Sequence, residues 1–109
     1  MTTITFHTEG KRVTGFTAKG HSGFADAGED IVCAGVTSAV RLVECTINDV
    51  LGLGASVRVN EKNASVSLRL PAALPAGMES TCQALLTGLM VHLTSLKEEY
   101  PEYIDVLEA

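Results

Sequence analysis

Two residues in one short stretch have the side-chain chemistry for nucleophilic catalysis. In Gly20-His21-Ser22-Gly23-Phe24-Ala25-Asp26-Ala27-Gly28-Glu29-Asp30-Ile31-Val32-Cys33, a histidine sits in a glycine-punctuated loop and a cysteine follows at the start of an apolar-periodic run. A thiolate with an imidazole in reach is the minimal equipment for acyl transfer: the imidazole keeps the sulfur ionised, then protonates the leaving amine. Asp30 is a good N-cap residue type, and capping from Asp30 puts Cys33 near the third helical position. There the orphan N–H groups and the positive end of the helix dipole favour thiolate. The backbone N–H groups of Cys33 and Ala34 are then candidates for holding an oxyanion, at about 3 kcal/mol per well-placed donor. Against this stands a plain reading of Cys33 as a small buried hydrophobe and His21 as an ordinary polar loop residue.

The neighbours of the pair divide by role. Asp30 beside a thiolate disfavours it unless its charge caps the helix or orients His21, and capping is the favoured role. Thr37, one turn after Cys33, has a hydroxyl that can bond within the site or back to a helix carbonyl. Gly20, Gly23 and Gly28, with Ser22 between the first two, predict a hinged loop. Phe24 is its large apolar residue, either an anchor on the core or a wall of a substrate pocket. Such a loop beside a nucleophile can act as a substrate gate.

The elements that position this stretch are legible from period and punctuation. Thr3 to His7 and Arg12 to Ala18 read as a β-hairpin around Glu9-Gly10-Lys11, with Ile4 and Phe6 inward, Val13 or Phe16 from the second strand, and Gly15 marking a bulge. His7 alternates out of phase with Ile4 and Phe6, hence faces solvent. A helix follows from Ile31 to Leu51, with Val36, Val40, Val43, Ile47 and Val50 as its stripe and Gly52 closing it. Cys33 extends that stripe to the rim of the core, and Cys45 is rotated away from it. Ala55 to Asn60 and Ala64 to Leu70 form a second hairpin with Val57, Val59, Val66, Leu68 and Leu70 inward. After Pro71 and Pro75, a second helix from Ala76 to Glu99 carries Met78, Cys82, Leu85, Leu89, Leu93 and Leu96 on one face, with His92 beside them as a packing residue. Tyr103 to Val106 adds a short strand after Pro101. The fold class is therefore α+β: a sheet built largely from two hairpins, packed against two long helices.

Composition narrows the function classes. A chain of 109 residues makes one domain with an aliphatic core, since 46% of residues are hydrophobic and only 5% aromatic. Its mean hydropathy of +0.23 leaves apolar surface to spare for a subunit interface. A net charge of −5 without a basic run speaks against direct nucleic-acid binding and suits a basic protein partner. The first residues lack a signal-peptide pattern and no apolar run reaches membrane-spanning length, so a cytoplasmic protein without membrane contact is expected. Three cysteines with no C-x-x-C pair point to reduced thiols, with neither a metal nor another cofactor.

The same residues carry a resemblance. Gly20-His21-Ser22-Gly23, followed by Gly28-Glu29-Asp30-Ile31-Val32-Cys33-Ala34-Gly35-Val36-Thr37, resembles the G-H-[SA]-G and G-x-D-[IL]-V-C-A-[AG]-[VI]-S signature of the ribosomal-processing cysteine protease family, Prp. The similarity covers nearly the whole chain. It implies His21 and Cys33 as a catalytic dyad, Asp30 in an acidic motif position, a substrate-gating loop between His21 and Asp30, and a homodimer. It further implies removal of a short N-terminal extension, ending in an apolar aromatic motif, from a basic large-subunit ribosomal protein of the L-twenty-seven family. Thr37 stands where the family often has Ser; the hydroxyl is kept and a methyl is added. A non-catalytic ribosome-assembly module that binds a basic ribosomal protein is the alternative from another class.

Overall fold

The computed structural model describes residues 1–20 and 27–109, the side chains of residues 27–30 excepted. Its elements run β1 (Thr2–Glu9), β2 (Arg12–Lys19), α1 (Ala27–Cys45), a π-helical turn (Thr46–Val50), β3 (Ser56–Asn60), β4 (Ser65–Arg69), α2 (Met78–Glu99) and β5 (Ile104–Glu108). The five strands form one sheet in the order β3-β4-β2-β1-β5, antiparallel except for β1 with β5. The expected α+β class and element order are as observed. What sequence pattern did not specify is that β5 returns to pair parallel with β1, Thr2 opposite Ile104.

Alternation along β1 buries Ile4 and Phe6 and exposes His7, whose Nε2 lies 2.9 Å from Thr17 Oγ1 on the open face of the sheet. On β2 both Val13 and Phe16 are buried, although their separation breaks a strict period of two. The bulge explains it: His7 pairs with Gly15 and Thr8 with Val13, so Thr14 is the extra residue that returns both side chains to the core face. Val32, Val36, Val40 and Val43 of α1, and Cys82, Leu86, Leu89 and Leu93 of α2, close the core over that face.

Four expectations need correction. α1 begins at Ala27, not after Asp30, so Asp30 is a helical residue and not the cap. Val50, expected in the stripe, is 73% exposed. The π-helical turn, closed by the Leu51 N–H donating to the Thr46 carbonyl at 2.9 Å, adds a residue to the last turn and rotates Val50 outward. His92 is exposed, one position before the buried Leu93 and thus well round the helix from it. Finally, Ile31–Val50 is 20 residues long with mean hydropathy 1.3, long and apolar enough by composition to cross a membrane. Counting unbroken apolar runs misses it, because Thr37 and Ser38 interrupt the run while lowering the mean little; in this fold the apolar stripe packs on the sheet.

Candidate functional site

Cys33 lies six residues after Ala27, inside α1, so its N–H and that of Ala34 belong to the intrahelical ladder. This overturns the two-donor oxyanion hole proposed for Cys33 and Ala34 and removes most of the dipole effect, which fades within the first turn. Ala34 is exposed and does not line the cleft into which Cys33 opens.

What the helix does supply is direction. Cys33, Val36, Thr37 and Val40 share the face of α1 that looks across to the sheet, and Cys33 is half-buried at the edge of the core. The cleft has a volume of about 310 Å³. Its walls are apolar where Val36 and Val40 of α1 face Val66 of β4, and polar at one end, where Arg41 and Glu44 reach in. Val59 of β3 forms a rim. It was expected inward, and its phase is right, but β3 is the sheet edge and the space over Val59 is the cleft, leaving it 70% exposed.

The strands fix the floor. Gly20 N–H donates to the Ala64 carbonyl at 2.8 Å, holding the end of β2 against β4 within the cleft. Thr2, at the start of β1, places Oγ1 3.1 Å from Cys33 Sγ. Residue typing overlooked Thr2, although its register gave a signal: it alternates in phase with Ile4 and Phe6, so its hydroxyl had to enter the core side.

The sequence-level candidates divide accordingly. Cys33, Thr37 and Gly20 come together in the cleft, with Thr37 exposed at its surface. Gly28 and Asp30 lie in the first turns of α1. His21, Ser22, Gly23 and Phe24 lie outside the described residues. The other two thiols are elsewhere: Cys45 is exposed with its sulfur donating to the Leu42 carbonyl at 3.3 Å, and Cys82 is buried under α2, where burial pushes its thiol above the ordinary range.

The chain has relatives among known proteins both in sequence and in fold. The family model described as cysteine protease Prp matches residues 1–105. The ribosomal processing cysteine protease Prp of Bacillus subtilis (strain 168) is 27% identical over 96 residues, covering 88% of this chain and 86% of that protein. In fold, the chain is similar to an essential ribosomal processing protease Prp from S. aureus solved with a substrate peptide, at TM-score 0.84 and 21% identity over 100% of both chains. It is similar also to a protein of Streptococcus mutans, at TM-score 0.86 and 21% identity over 99% of this chain and 93% of that one.

Proposed function

Since the chain belongs to the cysteine protease Prp family, we propose that it is a cytoplasmic endopeptidase in which Cys33 is the nucleophile and His21 its acid–base partner. The observation that carries this reading is the half-buried Cys33 sulfur at the wall of a partly apolar cleft, on the helix that carries the signature cysteine. The thiolate attacks the scissile carbonyl; the C–N bond breaks as the His21 imidazolium gives its proton to the leaving amine. Water, deprotonated by His21, then cleaves the thioester and returns the thiolate.

The proposed substrate is the N-terminal extension of a basic ribosomal protein of the L-twenty-seven family. Two things support it: the name of the Bacillus subtilis relative, and the substrate peptide bound to the S. aureus relative. Val36, Val40 and Val66 suit the apolar side chains at the end of such an extension. The net charge of −5 suits the basic body behind it. We also propose a homodimer. Helical spacing puts Ile31, Gly35, Ser38 and Leu42 along one side of α1, the last three lining an apolar groove against α2, and Ile31 and Leu42 are 61% and 65% exposed.

The test is cleavage of a peptide spanning the extension and the mature N-terminus, followed by mass spectrometry. The wild-type chain yields two products; Cys33→Ala and His21→Ala keep the fold and yield none. Cleavage by Cys33→Ala at the wild-type rate overturns the reading. Salt-sensitive binding of the ribosomal protein without cleavage by the wild-type chain assigns it to assembly instead.

A further inference from the structure

Thr2 is the one buried polar side chain among the described residues, 2% exposed, and its hydroxyl oxygen lies 3.1 Å from the Cys33 sulfur. Cys33 is well inside α1, beyond the reach of the helix terminus. From this contact we infer that Thr2 is a positioning residue for the nucleophile, its O–H donating to the Cys33 thiolate and favouring that form. The inference rests on the proposed role of Cys33.

Three features make the contact more than incidental. A β-branched side chain has few rotamers, so the hydroxyl is held by the backbone of β1. That backbone is itself pinned, with Thr2 N–H donating to the Tyr103 carbonyl at 2.8 Å and Thr2 in register with Ile104 on β5. A hydroxyl can donate to or accept from a thiol, but toward a thiolate it can only donate, and a hydrogen bond to a charged partner is the stronger kind. Among the described residues, the charged groups of the cleft are Arg41 and Glu44, both on α1 and of opposite sign. The strands and the residues flanking them contribute Thr2, Ala18, Gly20, Val59, Ala64 and Val66, none charged, while the Met1 amino group adjoins Thr2 in the chain.

The experiment follows alkylation of the folded protein by iodoacetamide from about pH 5 to about pH 9, with mass spectrometry separating Cys33 from Cys45. Thr2→Val keeps shape without the hydroxyl, Thr2→Ala is a second hydroxyl-free variant with a smaller side chain, and Thr2→Ser restores the donor. Both hydroxyl-free variants are expected to move the Cys33 midpoint upward by about one pH unit, a roughly tenfold loss of thiolate on the acid side. Thr2→Ser stays near wild type, and the Cys45 profile stays put in all of them. Coincident Cys33 profiles for wild type and for whichever hydroxyl-free variant is folded by circular dichroism overturn the inference, even if peptide cleavage still depends on Cys33. A shifted profile in a chain that cleaves no peptide supports the hydrogen bond and removes the proteolytic reading alone.

Discussion

Gly15 faces Leu68 so closely that a Cβ built on it would lie 2.0 Å from the Leu68 carbonyl oxygen. That oxygen belongs to the β2–β4 seam, in which Gly15 pairs with Arg69 and Phe16 with Leu68. Backbone cannot step aside as a flexible side chain can, so relief requires the two strands to part. Gly15→Ala is therefore expected to destabilise the fold by about 3 kcal/mol, at the upper end of overpacking costs, lowering the thermal midpoint by roughly 10 °C. A midpoint within about 2 °C of wild type, which corresponds to well under 1 kcal/mol, would show that the seam yields.

The start of β2 is tied to α2 by two kinds of contact, and they should differ in weight. The Gln83 amide spans Val13, accepting from its N–H at 2.8 Å and donating to its carbonyl at 2.8 Å. Arg12 Nε lies 2.6 Å from Glu79 Oε1, with the two side chains 24% and 46% exposed. Two partly buried hydrogen bonds contribute about 1 kcal/mol each, whereas a solvent-screened ion pair contributes under about 1 kcal/mol. Gln83→Ala is expected to lower unfolding free energy by about 2 kcal/mol and Glu79→Gln by less than half of that, both read from urea titrations. The reverse order would show that the charge pair, and not the amide clamp, sets the angle of α2.

How much of this was legible beforehand depends on the residue. Both hairpins and both helices follow from periods of two and near four. The start of α1 did not, because Asp30 is a good cap type and nothing in the residues around it marks one further helical turn before it. That single turn decides whether Cys33 has free backbone donors beside it. The outward turn of Val50 was illegible because a π-helical turn leaves the apolar spacing intact while changing its phase. The parallel pairing of β1 with β5 is a long-range choice, yet it is what pins Thr2 beside Cys33. Cys33 was readable from a motif; the residue beside it required the topology.

Lys97, in the last turn of α2, donates to Asp105 Oδ1 on β5. That hydrogen bond, opposed by partial burial and aided by the Lys97 charge and the Val106 N–H, holds the Asp105 carboxyl below its ordinary value. The folded chain thus binds this proton less readily than the unfolded one. The stabilisation is complete above the unfolded carboxylate value of about 4 and is lost as pH falls through the lower native value. Asp105→Asn is expected to lower the urea midpoint near pH 7 and to coincide with wild type in strong acid. An equal deficit at both extremes would assign the loss to shape and not to charge.

Val59 gives the cleft a test that leaves Cys33 alone. It is 70% exposed on the edge strand, its backbone paired with Val66, and its side chain forms a rim of the cleft that Cys33 lines. If the substrate lays an apolar side chain there, covering this valine contributes about 1.5 kcal/mol to binding, roughly a tenfold effect. Val59→Asp replaces that contact with a charge requiring water, while an exposed substitution changes stability by only about 0.5 kcal/mol. The expected outcome is a KM raised roughly tenfold with kcat within about a factor of two, the pattern of lost uniform binding. An unchanged KM would place the peptide on the other side of the cleft, against the end of α1 that carries Arg41 and Glu44.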